Sequence, residues 1–301
     1  MPDLKVNIAG VKWKNPITVC SGTFSARDSG DFYDIDRLGA IVTKGVSVEP
    51  WEGNPTPRIA ETYGGMLNSV GLQNLGADRF CKEELPYLKQ FDCPVIVNVA
   101  GKSIDEYCRA VEKLSTSEAD MLEINISCPN IKEGGLSFGT DPVTAARLIR
   151  ELRRITNKPM IIKLSPNVTD ITEIARAAEG EGADGISLIN TLLGMRIDVR
   201  TKKPVLAMGM GGLSGPAIKP VAVQMIYRVR KAVRIPIIGM GGVMTGEDAA
   251  ELMLAGADAV AVGTAGLVDP AAPVRILEEF EKYMKEQGFK SIEDFKYYRD
   301  F

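Results

Sequence analysis

Asn125-Ile126-Ser127-Cys128-Pro129-Asn130 sets one thiol between two carboxamides, directly after the apolar run Met121-Leu122-Glu123-Ile124. The chain contains no histidine. Proton transfer near neutrality must therefore fall to another group, and a cysteine whose thiolate is stabilised locally is the best candidate. Taken alone, the segment reads equally well as a small buried cysteine in a turn, because free Cys is among the most buried residue types. The remaining chemistry-bearing residues decide between the two readings.

Glycines at two predicted strand ends point to an anion. Gly239-Met240-Gly241-Gly242 follows the seventh apolar run and Gly263-Thr264 the eighth, each ahead of a predicted helix. Such glycines let backbone N–H groups approach an anion at the positive end of a helix dipole. Two lysines sit in apolar strands: Lys44 at the end of the second, and Lys163 inside Ile161-Ile162-Lys163-Leu164. A lysine there is disfavoured unless its ammonium meets an anion, opens into a pocket or snorkels at a rim. Asn98, Asn125 and Asn190 close the third, fourth and sixth strands, and Asn68 and Asn74 flank Ser69-Val70-Gly71-Leu72-Gln73. Each carboxamide carries a donor and an acceptor. A ring of them suits a planar ligand with alternating C=O and N–H groups, such as a flavin or a pyrimidine.

Short β-branched runs alternate with longer amphipathic stretches, the pattern of repeated βα units. Strands are predicted at Ile17–Val19, 40–43, 95–98, Met121–Asn125, 160–164, 185–189, 235–239 and Ala259–Val262. Helices are predicted at 77–90, 103–114, Pro142–Ile155, 170–179, 218–232, Gly246–Leu254 and 271–286. Eight strands with interleaved helices fit a (β/α)8 TIM barrel, one domain over residues 1–301. An open dinucleotide-binding sheet would be expected to carry G-x-G-x-x-G after its first strand, and that motif is absent. Segments 4–6 and Val11–Trp13 around Ala9-Gly10 predict a hairpin that plugs the barrel bottom. The long loops after strands 2, 4 and 6, residues 44–76, 126–141 and 190–217, leave carboxyl ends of strands, where such barrels place their chemistry.

Composition narrows the class further. A net charge of −3 without a dense Lys/Arg cluster gives no case for nucleic acid. No apolar run reaches the ~18 residues that span a membrane, and Met1-Pro2-Asp3-Leu4-Lys5 lacks a signal-peptide pattern. The five cysteines are odd in number and include no C-x-x-C pair. That argues against a disulfide framework or a metal or iron–sulfur site in this chain, and for a cytoplasmic protein with reduced thiols.

Together these residues resemble dihydroorotate dehydrogenase over nearly the whole length. The segments that carry the resemblance are Cys20-Ser21-Gly22-Thr23-Phe24, Thr43-Lys44-Gly45-Val46, Asn68 to Leu72, Asn125 to Asn130, Ile189-Asn190-Thr191, Gly211 to Pro220 and the two glycine sites. A cysteine base implies the soluble class 1. Ser214 to Pro220, with Gly194-Met195-Arg196-Ile197-Asp198, resembles the NAD-linked 1B subtype.

The resemblance implies FMN-dependent oxidation of dihydroorotate to orotate in UMP biosynthesis. Cys128 would take the C5 proton, flavin N5 would accept the C6 hydride, and Lys163 would stabilise charge on the reduced ring. Lys44, Asn68, Ser69, Val70, Gly71, Leu72, Asn125, Asn130, Asn190 and Thr191 would hold substrate. Ser21, Gly22, Lys44, Gly45, Asn98, Asn125, Lys163, Ile189, Gly215, Gly241, Gly242, Gly263 and Thr264 would hold FMN. Residues 131–135 would form a lid. The resemblance further implies a homodimer docked to an electron-transfer subunit that carries FAD and a [2Fe–2S] cluster, a heterotetramer.

Alternatives are the fumarate-using subtype without a partner and a dihydropyrimidine dehydrogenase-like reductase. In the reductase the position of Asn130 tends to be histidine. A different class is a phosphate-binding barrel lyase or isomerase with Lys163 as Schiff base, and a non-catalytic flavin scaffold is the last. We predict that Cys128→Ala retains FMN but slows its reduction by dihydroorotate about 100-fold or more, as expected for loss of a general base. Anaerobic stopped-flow absorbance checks this, and unchanged kinetics would remove Cys128 from the mechanism.

Overall fold

Eight short parallel strands form the centre of the computed structural model, which describes residues 2–127, 132, 133 and 136–299. They are β1 (Ile17–Val19), β2 (Ile41–Val42), β3 (Val95–Val99), β4 (Met121–Asn125), β5 (Met160–Lys163), β6 (Gly185–Leu188), β7 (Ile237–Met240) and β8 (Ala259–Val262). Their order, β1-β8-β7-β6-β5-β4-β3-β2, is that of a nearly closed barrel. At the β1/β2 seam the ring is completed by single bonds. Gly39 N–H donates to the Ile17 carbonyl at 2.8 Å, and Thr18 Oγ1 donates to the Ala40 carbonyl at 2.7 Å.

Every predicted strand is present; three keep their predicted bounds and the ends of the other five move by one or two residues. The largest shift is at β7, which begins after Pro236, a residue with no N–H to give a ladder. Gly239 and Met240 therefore belong to the strand, and the loop after it starts at Gly241.

Period-two alternation sorts the side chains. Along β4, Leu122 and Ile124 face outward into the layer between sheet and helices, while Met121 faces the barrel interior. The helices Pro142–Ile155 and Gly246–Leu254 run as predicted. Ser103 and Asp170, predicted as first helical residues, are caps instead, accepting from the Glu106 and Thr172 amides. The predicted helix 77–90 is broken into Ala77–Arg79, a π turn at Phe80–Glu84 and Leu85–Leu88. Pro86 supplies no N–H to the preceding turn and its ring crowds it, which favours the wider winding.

Two of the three long loops hold a sheet that the periodicity did not reveal. Strands Leu192–Met195, Met210–Ser214, Gly65–Asn68 and Ile59–Thr62 pair antiparallel in that order. In the third loop Lys132–Glu133 pairs with Leu136–Ser137; Cys128, Asn130 and part of the expected lid lie outside the described residues.

The hairpin at the other end consists of Val6–Ile8 and Val11–Trp13, joined through Ala9 and Gly10 at φ of 52° and 87°. Two positive φ values match the twist of a tight hairpin. Ile8 and Trp13 are buried against Ala40, Val42, Ile96, Met121, Ile161, Ile238 and Ala259, so the hairpin does plug the barrel. We predict that Trp13→Ala costs about 3–5 kcal/mol in urea unfolding. Trp13→Phe costs well under half of that, because the indole N–H has no partner to lose.

Candidate active site

The carboxyl ends of the strands open into a cavity of about 550 Å³, within the range of small-molecule and cofactor sites. Every residue expected at the site lines it except three. Asn98 is buried behind Gly45, and Cys128 and Asn130 lie outside the described residues.

Polar side chains from neighbouring strands meet inside the barrel. Lys163 on β5 is 3% exposed, and its Nζ donates to Ser21 Oγ at 3.0 Å. It also stands 3.9 Å from Glu123 Oε2 on β4. Glu123 accepts from Asn98 Nδ2 of β3 at 2.5 Å and from Ser187 Oγ of β6 at 2.7 Å. Parallel register explains the meeting, since Asn98 pairs with Glu123 and Lys163 with Ser187. Asn98 Oδ1 is left buried without a partner, 3.1 Å from where a Cβ on Gly45 would stand.

Nearer the mouth the carboxamides form a chain. Asn190 Nδ2 donates to Ser127 Oγ, which donates to Asn125 Oδ1 at 2.6 Å. The Tyr107 hydroxyl donates to the Asn125 carbonyl at 2.6 Å and fixes the strand end. Among the described residues nothing accepts from Asn125 Nδ2, so that donor is available to a ligand. Asn68 hangs from the loop sheet, donating to the Gly212 carbonyl at 3.3 Å. Asn54 ties down Ser69 through its carbonyl and hydroxyl. Leu72 holds a φ of 53°, a left-handed conformation secured by Asn74 Nδ2 donating to its carbonyl at 2.9 Å.

The glycine loops are tight. At Gly242, with φ of 78°, a Cβ would lie 2.7 Å from Lys219 Cβ and 3.0 Å from the Gly215 carbonyl oxygen. Only glycine fits there. Lys219 itself is neutralised by Asp248 and Glu251 at 2.5 and 2.6 Å. With that lysine neutralised, the donors left in this corner are backbone amides and the Ser214 hydroxyl, which accepts from Thr264 Oγ1 at 2.8 Å and keeps its own O–H.

Two titratable groups on the wall are displaced in opposite senses. Burial pushes the Cys20 thiol up to about 11; the Lys163 charge pulls it down and the Glu123 charge pushes it up, both less strongly. Burial, and next the charge of Arg58, hold Lys44 below the usual lysine range. No acidic side chain of the described residues pairs with Lys44.

Sequence reasoning missed Glu123, Ser187 and Asn167. A glutamate inside Met-Leu-Glu-Ile is as anomalous as a lysine in an apolar strand, so the signal was present. Asn167 binds the Thr191 carbonyl at 3.0 Å and the Leu193 amide at 2.9 Å, tying two loops together, and nothing in its local sequence announced this.

Barrel, mouth and buried lysine define a (β/α)8-barrel enzyme site of the kind built on strand carboxyl ends. The profile of the dihydroorotate dehydrogenase family matches residues 3–284, and the chain belongs to that family. It is 56% identical over 295 residues to "Dihydroorotate dehydrogenase B (NAD(+)), catalytic subunit" of Alkaliphilus metalliredigens, covering 98% of both chains. The proteins of the same name from Alkaliphilus oremlandii and Geotalea uraniireducens are 55% and 52% identical, each comparison covering 97% of both chains. The resemblance read from the motifs, including its NAD-linked subtype, is borne out.

A lysine with a lowered pKa that meets an anion regains its proton affinity. Orotate binding should therefore be strongest below the pKa of Lys44 in the free protein and weaken as pH rises through it. Isothermal titration across pH checks this, and Lys44→Met should bind at least tenfold more weakly and lose that pH dependence.

Proposed function

We propose that this chain is the FMN-binding catalytic subunit that oxidises dihydroorotate to orotate in UMP biosynthesis. Its electrons would pass to NAD through a partner subunit. Family membership supports the reaction. The observation that carries the site is Lys44, a half-buried cation without an acidic partner among the described residues. It lines one cavity with the carboxamides of Asn68, Asn125 and Asn190. A cation beside a ring of donors and acceptors suits a carboxylate on a ring of amides.

The residues present also fit FMN. Asn98 Oδ1 is a buried acceptor awaiting a donor. Gly215, Gly241 and Gly242 line the cavity with bare backbone and pack so closely on Gly65, Ala222 and Lys219 that a Cβ would clash. Ser21, Gly22, Gly45, Asn98, Lys163 and Ile189 would hold the ring side, and Gly215, Gly241, Gly242, Gly263 and Thr264 the phosphate side. When bound, FMN supplies the two-electron acceptor for the hydride leaving C6.

The chain's own groups do the rest. Lys44 takes the substrate carboxylate, and Asn68, Asn125, Asn130, Asn190 and Thr191, with the backbone of Ser69 to Leu72, take the ring. Cys20, pushed up to about 11, keeps its proton at neutral pH. On the family resemblance the base is Cys128, in the segment after β4, which would remove the C5 proton. Lys163 supplies positive charge where negative charge builds. Residues 131–135 would act as a lid that excludes water on closure.

The relatives' description as catalytic subunits supports a second subunit. We assign FAD and a [2Fe–2S] cluster to it, bound to a homodimer of this chain in the cytoplasm, with 1–301 as a single domain. Among the described residues no helix is long and apolar enough to cross a membrane. Anaerobic titration of the purified chain with dihydroorotate should bleach its flavin absorbance; no bleaching would overturn the activity. The isolated chain should reduce artificial dyes but not NAD, and NAD reduction by the chain alone would refute the need for a partner.

A further inference from the structure

Glu123 has no part in the mechanism above, yet it is 2% exposed and occupies the centre of the barrel. Its oxygens accept from Asn98 Nδ2 at 2.5 Å and Ser187 Oγ at 2.7 Å, with Lys163 Nζ at 3.9 Å. Burying an acid and a lysine is costly, and a well-packed apolar pair is often as stable or more so. Stability alone therefore does not explain the residue.

Two effects on the cavity do. A carboxylate only accepts, so Asn98 must turn its Nδ2 toward Glu123 and present Oδ1, unpartnered, toward Gly45 on the cavity wall. The same carboxylate also offsets part of the Lys163 charge in a site closed to water, where charges act over longer range than in solvent.

We propose that Glu123 is a positioning residue for bound flavin. It fixes the Asn98 side chain behind Gly45 on the cavity wall and balances Lys163, holding the flavin's reduction potential below the value Lys163 alone would set. The inference rests on the FMN reading above.

Glu123→Gln separates the two effects. Its amide oxygen can still accept from Asn98 while its NH₂ donates to Ser187 Oγ, so orientation survives and the charge is lost. The expected result is oxidised FMN bound within about threefold of wild type. The preference for reduced over oxidised FMN should rise at least tenfold, about 30 mV upward for a two-electron couple. Glu123→Leu removes the orienting acceptor as well and should also weaken oxidised FMN at least tenfold. Midpoint potentials come from anaerobic equilibration with reference dyes, affinities from flavin fluorescence, and circular dichroism confirms folding. A merely structural glutamate would alter affinity or folding and leave the potential in place. An unchanged midpoint in Glu123→Gln overturns the proposal. Wild-type chain that binds no FMN overturns the flavin reading itself, a separate and earlier failure.

Discussion

Inside the barrel, the side chains of Asn98, Glu123, Lys163 and Ser187 turn away from water, and that is tolerable because Glu123 accepts from Asn98 and Ser187 while Lys163 donates to Ser21. A buried polar group left unsatisfied costs about 1–3 kcal/mol, and more if charged. The layer therefore has few arrangements open to it. It ties β3, β4, β5 and β6 in register and sets the floor of the cavity. Beneath it the interior is apolar and closed by Ile8 and Trp13. Above it lies the cavity of about 550 Å³, lined by Lys44, Asn68, Asn125 and Asn190. The barrel is thus graded from a dry plug, through a bonded polar layer, to an open polar mouth.

The two strand lysines show what this gradient does to charge. Lys163 lies in the bonded layer, with a hydroxyl at 3.0 Å and a carboxylate at 3.9 Å. Lys44 lies at the mouth, held below the usual lysine range by burial and by Arg58. One cation has its partners within the protein, and the other has no acidic partner among the described residues. Cys20 makes the same point for thiols. Contact with the cavity does not create a reactive cysteine, because burial stabilises the protonated form and outweighs the nearby ammonium.

Rigid strand ends carry the floor, whereas the walls come from loops. The 44–76 and 190–217 connections join in one antiparallel sheet, so Asn68 and the Met210–Ser214 strand are held by ladder bonds rather than by loose chain. Side-chain ties reinforce this: Asn167 links two loops, Asn74 holds Leu72, and Asn54 holds Ser69. Carboxamides near this mouth thus brace backbone as well as line the cavity.

Much of this protein was legible in its sequence. Alternating β-branched and amphipathic runs encode local periodicities, and these determined the eight strands, the barrel and the face that bears the site. Motif residues at strand ends, such as Lys44, Asn125 and Gly241-Gly242, were legible because their types are anomalous for their places. Glu123 was equally anomalous, but its meaning depends on which strands become neighbours, and local sequence does not state that. The loop sheet was invisible for a related reason, since its strands are short, three of the four carry glycine, and the central pair joins across more than a hundred residues. Only the tertiary structure decided that Asn98 faces a carboxylate with one end and the cavity wall with the other. Hydrogen-bond direction and charge balance belong to pairs of residues brought together by closure of the barrel, and no single stretch of chain contains them.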